Sequence, residues 1–160
     1  MQLYLFRHGK AEPARPGETD ADRVLSEEGE RVVRRLAVIL AWMDLGIERI
    51  LTSPYRRAQQ TAELLAQRLN VPVDVVHEMA PGATLEPLAR LIHAYRPRGA
   101  LLAVGHQPDL GNIVQELTGG RVEMKPAEMA GIESGSFRSG RGLLIGLYDP
   151  EHMIRLLPNQ

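Results

Sequence analysis

The sequence predicts a three-layer α/β sandwich, in which a mostly parallel, mixed central sheet carries helices on both faces and ends in an antiparallel C-terminal hairpin. Apolar stretches of strand length alternate with helical periodicity through most of the chain, which is typical of parallel strands joined by crossover helices. The last quarter instead holds short apolar segments separated by glycine-rich and Asp-Pro turns, which indicates antiparallel pairing. With 160 residues, we expect a single domain covering 1–160.

Four apolar stretches of strand length precede the C-terminal segments. They cover 2–6, 47–52, 71–76 and 100–104. The last of these is uniformly apolar, and because such strands are usually covered on both faces, we expect it near the centre of the sheet. The C-terminal segments expected to pair with one another are 132–137, 143–148 and 153–157.

Helical periodicity fills the intervals between the predicted strands. Ser26 and Ser53 are expected to cap the first two helices, because a side-chain oxygen there can accept a hydrogen bond from the first turn. Asn70 and Gly119 are expected to end helices, since both residues tolerate the left-handed backbone conformation. Two further helices are predicted at 85–95 and 110–117.

Composition excludes several classes of site and partner. The chain has no cysteine, which excludes disulfides, thiolate metal sites and cysteine nucleophiles. A chain without cysteine suits a reducing cytoplasm. The sequence also does not begin with the basic segment and apolar run of a signal peptide, so we expect a cytoplasmic protein. The net charge of −1 predicts no nucleic-acid partner, and no apolar stretch is long enough to predict a membrane span.

Three predicted strand ends carry groups suited to phosphate. Arg7-His8-Gly9 follows the first strand, Arg57 lies shortly after the second, and Gly105-His106 follows the fourth. Because parallel strands open on one edge of a sheet, we expect Arg7, His8, Arg57 and His106 to converge there. Arginine matches phosphate oxygens with a charged fork, and a neutral imidazole can attack phosphorus. The sequence therefore predicts phosphoryl transfer, with no metal or other cofactor expected.

These three segments together resemble the histidine phosphatase superfamily, the phosphoglycerate mutase-like group. The match runs in family order through 7–9, 53–62 and 105–106, and the short chain and segment 25–29 are similar to its small SixA-type phosphohistidine phosphatases. The resemblance implies a phosphoglycerate mutase-like fold. It also implies residue roles: His8 as the nucleophile, Arg7 and Arg57 holding phosphoryl oxygens, and His106 donating a hydrogen bond to the phosphoryl group.

Further residues are expected around the pocket. The resemblance places Arg23 and Lys10 at its rim as substrate-binding candidates, and makes Glu78 the best match to the family's proton donor for the leaving group. Glu12 and Asp20 are alternative acids. An acid matters less for phosphohistidine, because the departing imidazole can take a proton from water, the pKa of its conjugate acid being about 6.5.

The predicted activity is that of a metal-independent phosphatase with a phospho-His8 intermediate. Only one strand, one helix and another strand separate Arg57 from His106, so no inserted cover is expected over the site. This favours phosphohistidine on a signalling phosphotransfer protein as the substrate. The alternatives are a phosphatase of a small phosphomonoester, a mutase, a metal-dependent hydrolase and a non-catalytic phosphate-binding module.

Overall fold

The computed structural model describes residues 1–157 and contains a six-stranded sheet. Its strands are β1 (Gln2–Arg7), β2 (Ile47–Thr52), β3 (Val73–Val75), β4 (Ala100–Gly105), β5 (Met129–Ser134) and β6 (Gly142–Tyr148). They lie in the order β3-β2-β4-β1-β5-β6. The first four strands run parallel, and β5 pairs antiparallel with both β1 and β6. The predicted mixed sheet is confirmed, and β4 lies inside it between β2 and β1.

Helices cover both faces of this sheet. They are α1 (Glu27–Met43), α2 (Arg56–Leu69), α3 (Leu85–Tyr95), α4 (Asp109–Thr118) and α5 (Pro150–Arg155). Side chains alternate along β1, so that Leu3 and Leu5 pack with α3 and α4, while Tyr4 and Phe6 pack with α1, α2 and α5. The predicted three-layer sandwich is therefore confirmed. No helix within residues 1–157 is long and apolar enough to cross a bilayer.

Three strand ends meet at one edge of the sheet. Arg7 at the end of β1 pairs with Gly105 at the end of β4, and Thr52 at the end of β2 pairs with Val104. The ladder continues one step beyond the strands, since His8 N donates to Gly105 O and Ser53 N donates to Val104 O, each at 3.1 Å. The residues directly after β1, β2 and β4 are thereby placed side by side.

The predicted helix ends agree with the structure except at Ser53. Ser26 caps α1, its Oγ accepting a hydrogen bond from Gly29 N at 3.0 Å, and Asn70 and Gly119 end α2 and α4 in the left-handed region. The cap of α2 is Tyr55, so the prediction for Ser53 is wrong. Ser53 Oγ instead accepts from Tyr55 N at 3.2 Å, outside the helix.

The prediction of a strand at 153–157 is also wrong. Helix α5 covers most of this segment, because Asp149 Oδ1 accepts hydrogen bonds from Glu151 N and His152 N and so caps a helix. Pro150 fits the first helical turn, where its missing N–H costs nothing. The Asp-Pro pair therefore marks the start of a helix rather than a hairpin turn.

Two strand bounds differ from the prediction for local reasons. β5 covers Met129–Ser134 rather than 132–137, and its chain turns away where Phe137, at φ 45°, enters the core. The strand predicted at 71–76 is reduced to Val73–Val75 at the sheet edge. Neither difference affects the strand ends at which the candidate site lies.

Candidate active site

Four predicted site residues lie together at the carboxyl edge of the parallel strands. Arg57 Nε donates a hydrogen bond to His8 Nε2 at 3.1 Å, and Arg57 Nη2 lies 3.4 Å from His106 Nδ1. The ring centroids of His8 and His106 are 5.1 Å apart. Arg7 adjoins His8 at the end of β1, and its positive charge acts on both imidazoles by lowering the pKa of each. The sheet thus brings two arginines and two histidines to one place.

Hydrogen bonds define the tautomer of His8. Nδ1 lies 2.7 Å from Gly9 O, and a carbonyl can only accept, so Nδ1 carries the proton. Nε2 accordingly presents a lone pair, which here accepts from Arg57. Burial is the main cause that lowers the pKa of His8 to about 4, with Arg57 and Arg7 adding to it. The imidazole is therefore neutral near pH 7, as a nucleophile requires.

His106 is held between a hydroxyl and an aromatic ring. Its Nε2 lies 2.7 Å from Ser53 Oγ, and the ring of Tyr55 contacts it edge-on at a centroid distance of 5.2 Å. Burial and then His8 lower the pKa of His106 to about 3, so this imidazole is also neutral. Because a hydroxyl both donates and accepts, Ser53 can support either tautomer of His106.

Arg7 keeps one N–H group buried beside the two histidines. Its Nη1 donates to Met124 O at 2.6 Å, whereas its Nε is buried and has no hydrogen-bond partner among residues 1–157. Buried donors of folded proteins are nearly always paired, so an orphaned guanidinium N–H needs an explanation. An oxyanion beside His8 would supply the acceptor.

A buried threonine joins helix α2 to the segment directly after His8. Thr61 Oγ1 accepts from Gly9 N at 3.1 Å and donates to Arg57 O at 2.8 Å. Gly9 is itself confined, because a β-carbon there would lie 2.8 Å from Val33 Cγ2. One hydroxyl therefore fixes the relative positions of the backbone after His8 and the backbone of Arg57.

The loop between β1 and α1 brings Asp20 and Arg23 to the site. Arg57 Nη2 donates to Asp20 Oδ2 at 3.0 Å, and Arg23 Nη1 donates to Asp20 Oδ1 at 2.9 Å. The hydrogen bond from Arg23, followed by that from Arg57, lowers the pKa of Asp20. The charge of Arg23 also contributes to the low pKa of His8. Arg23 thus lies where it acts on the pocket electrostatically.

The other rim candidates lie in different surroundings. Lys10 is exposed and pairs with Glu28 at the start of α1. Glu78 is half-buried in the short turn His77–Met79 after β3, and within residues 1–157 it makes no hydrogen bond to the four clustered residues. Glu12 reaches this region through its carbonyl oxygen, which accepts from Arg23 Nε at 2.8 Å. Substrate binding by Lys10 and proton donation by Glu78 stay predictions.

Sequence reasoning misses three contacts of the site. It assigns Ser53 to a helix cap, does not single out Thr61, and includes Tyr55 only as part of a motif. The guanidinium of Arg57 lies over the ring of Tyr55, 5.1 Å from the ring centroid, in a cation–π contact. The sequence does hold a signal for Ser53, because Ser53 directly follows β2. His8 and His106 are predicted as site residues for the same reason, since they directly follow β1 and β4. Within residues 1–157, no group of three or more His, Asp and Glu side chains could hold a metal ion.

Comparison with known proteins agrees with this geometry. Residues 3–80 match the model of the histidine phosphatase superfamily (branch 1). The chain is 33% identical over 124 residues to phosphohistidine phosphatase SixA of Escherichia coli (strain K12), covering 75% of this chain and 76% of that protein. This chain belongs to the histidine phosphatase superfamily. It is a phosphatase of that group, as the three strand-end motifs predict.

Two further comparisons concern a protein of similar sequence and a solved structure. This histidine phosphatase is 37% identical over 145 residues to an uncharacterized protein of Picosynechococcus (strain PCC 7002), covering 86% of this chain and 88% of that protein. The structure of the protein histidine phosphatase SixA complexed with tungstate superposes with a TM-score of 0.85 at 28% identity, covering 96% of this chain and 99% of that one. The fold is therefore phosphoglycerate mutase-like, as the resemblance implied.

Proposed function

We propose that this phosphatase removes the phosphoryl group from phosphohistidine on a cytoplasmic signalling phosphotransfer protein, without a metal, through a phospho-His8 intermediate. The observation that carries the proposal is the neutral His8, whose Nε2 lone pair lies 3.1 Å from the guanidinium of Arg57. A nucleophile and a permanent cation share one small volume, which is the arrangement that phosphoryl transfer requires. We further propose that 1–160 act as one domain.

The first step of the proposed reaction is binding of the phosphoryl group by the arginines. Arg57 Nε transfers its hydrogen bond from His8 Nε2 to a phosphoryl oxygen, which frees the lone pair for attack. The unpaired Nε of Arg7 donates to another oxygen. His106 gives up its contact with Arg57 and donates to the third from Nδ1, in the tautomer whose Nε2 accepts from the hydroxyl of Ser53. Charge-assisted bonds of this kind are stronger than neutral ones and fix the phosphorus in line with the nucleophile.

The second step is transfer to His8 and hydrolysis. The Nε2 lone pair forms a bond to phosphorus while the bond from phosphorus to the substrate nitrogen breaks, and the departing imidazole takes a proton. Water then attacks phosphorus, the bond to Nε2 breaks, and phosphate leaves with His8 restored. Imidazole leaves readily, because its conjugate acid has a pKa of about 6.5. We assign Glu78 as the proton donor when a poorer leaving group is bound.

Two observations support a protein-borne substrate over a small metabolite. The curated relative from Escherichia coli at 33% identity is a phosphohistidine phosphatase, and the SixA structure complexed with tungstate shares this fold at a TM-score of 0.85. Between α2 and β4 the chain has only β3, a short turn and α3, so no inserted helices cover the site. At the rim, Arg23 and Lys10 are proposed to contact the substrate.

The decisive experiment compares His8→Ala with His152→Ala on a phosphohistidine-bearing phosphotransfer domain. His152 is exposed on α5, so its loss should leave the rate unchanged, whereas loss of His8 should reduce turnover to background. Acid-labile phosphate should be trapped on the wild-type chain and be absent from His8→Ala. Undiminished turnover in His8→Ala contradicts the mechanism, and loss of turnover after chelation contradicts metal independence. Faster turnover of a small phosphomonoester would reassign the substrate.

A further inference from the structure

Asp20 contacts the phosphate-binding arginine through both its main chain and its side chain. Arg57 Nη1 donates to Asp20 O at 2.6 Å, and Arg57 Nη2 donates to Asp20 Oδ2 at 3.0 Å. The Arg57 side chain is only 7% exposed, whereas that of Asp20 is 55% exposed. The carboxylate therefore approaches a buried guanidinium from the solvent side, the side from which a substrate must enter.

The carboxylate of Asp20 bridges two cations. Its second oxygen, Oδ1, accepts from Arg23 Nη1 at 2.9 Å. Arg23 is in turn anchored, because its Nε donates to Glu12 O at 2.8 Å. The loop thus presents an anion that is fixed between two arginines, next to the side of Arg57 that faces His8, where the proposed reaction puts phosphoryl oxygens.

Arg57 commits all three of its nitrogens to partners inside the protein. Nε donates to His8 Nε2, Nη1 to the carbonyl of Asp20, and Nη2 to its carboxylate, while Nη2 also lies 3.4 Å from His106 Nδ1. A phosphoryl group bound to a planar guanidinium takes two parallel N–H donors. Bidentate binding at Nε and the second N–H of Nη2 therefore displaces the contacts with His8 and His106, and it leaves the Asp20 carboxylate on Nη2, directly beside the bound phosphoryl group.

We propose that Asp20 is a positioning residue whose carboxylate holds Arg57 against His8 and, by its negative charge, opposes the binding of phosphoryl oxygens to the same guanidinium. This inference rests on the proposed function. A negative charge at this point opposes binding of every phosphate dianion, the product included, so it weakens retention of phosphate after hydrolysis.

The structure also separates this role from that of a general acid. Asp20 receives hydrogen bonds from two guanidinium groups, and such donors stabilise the ionised carboxylate. A carboxylate kept ionised has no proton to give to a leaving group. The sequence makes Asp20 an alternative acid, but its contacts suit the role of positioning Arg57 instead.

The test is the affinity for inorganic phosphate, measured by titration calorimetry at fixed pH and ionic strength and by product inhibition. Asp20→Asn removes the charge and keeps the size, and it should tighten phosphate binding about tenfold, in line with removal of one like charge at close range. The KM should fall with it. The matched control is Asp22→Asn, which makes the same charge change in the same turn, where the carboxylate is bonded only to Thr19. Its phosphate affinity should stay within about twofold of wild type, since that carboxylate has no contact with Arg57.

The outcomes distinguish this inference from the proposed function. Phosphate binding that is unchanged or weaker in both Asp20→Asn and Asp20→Ala overturns the role of Asp20, even if wild-type turnover is normal. Equally tighter phosphate binding in Asp22→Asn also overturns the role of Asp20, since the effect would then come from the net charge of the protein. Absence of turnover in the wild type contradicts the proposed function instead, and the binding comparison remains decisive for Asp20 because it needs no turnover.

Discussion

The carbonyl oxygen of Lys10 lies where a side chain on Gly29 would begin: a β-carbon on Gly29 would be 2.1 Å from it. The same carbonyl accepts hydrogen bonds from Ser26 N at 2.9 Å and from Ser26 Oγ at 3.2 Å. The segment directly after His8 is therefore pressed against the first turn of α1. This close approach determines how the loop leaves the site.

Gly29→Ala should destabilise the protein, although alanine is the better helix former. Propensity alone favours alanine by about 1 kcal/mol, but a contact with backbone cannot be relieved by rotation of a side chain. We expect a net loss of about 2 kcal/mol in the free energy of unfolding, measured by urea denaturation. Gly135→Ala is the matched control, because a β-carbon there meets no atom within 4 Å. A Gly29→Ala protein as stable as wild type would show that the loop can move away at little cost.

Thr61→Val should lower the melting temperature by about 2–10 °C, since it strands the buried N–H of Gly9 without changing side-chain volume. Thr118 provides a control with the same two bonds, because its Oγ1 accepts from Gly120 N and donates to Val114 O. Thr118 is less buried, so water can replace its hydroxyl and Thr118→Val should cost little. Equal losses of melting temperature in the two variants, measured by calorimetry, would show that burial of the hydroxyl does not determine the cost.

His8 should remain neutral well below the usual titration range of histidine. With its pKa lowered to about 4, only a few per cent of the imidazole should be protonated at about pH 5.5. Proton NMR of the ring measures this, with His8→Ala identifying the resonance. Because the unfolded chain binds this proton near pH 6.5, His8 also makes folding less favourable as the pH falls from about 6.5 toward 4. A midpoint near 6.5 would be inconsistent with the buried pair of imidazoles.

Arg57→Lys should lower kcat/KM by about 10- to 100-fold, because lysine keeps the charge but loses the planar fork and the bond to His8 Nε2. The neighbouring Arg56 is exposed, so Arg56→Lys makes the same chemical change outside the pocket and should leave kcat/KM unchanged. Steady-state kinetics on a phosphohistidine protein and on an aryl phosphate measure kcat/KM for both variants. A comparable loss in Arg56→Lys would indicate a general surface effect.

The strand-end motifs are predictable because they depend on local pattern and on the geometry of parallel strands. Arg7, His8, Arg57 and His106 can be placed together without coordinates, since the residues directly after parallel strands share one edge. The sequence does not determine the conformation of the chain after Asp149 in the same way. An Asp-Pro pair suits both a turn and a helix start, and the packing of Met153 against α1 and α2 favours the helix.

Contacts across long sequence distances are the part that pattern cannot supply. Asp20 and Arg57 are 37 residues apart, and nothing in either segment indicates that a loop carboxylate meets this guanidinium. The role of Ser53 is obscured for a related reason. A serine before a proline is a common helix cap, and only the position of His106, 53 residues later, shows that its hydroxyl faces an imidazole.

The position of β1 within the sheet has a consequence for how the phosphatase is made. Its two neighbours are β4, at Ala100–Gly105, and β5, at Met129–Ser134, so the first of the six strands in chain order is flanked by two of the later ones. The backbone N–H of Ala127 further braces the carbonyl groups of Arg7 and His8 at 3.0 and 3.1 Å. A growing chain therefore holds His8 without both of its flanking strands until β5 has been made. Activity should emerge abruptly, once β5 has been made, rather than grow with chain length.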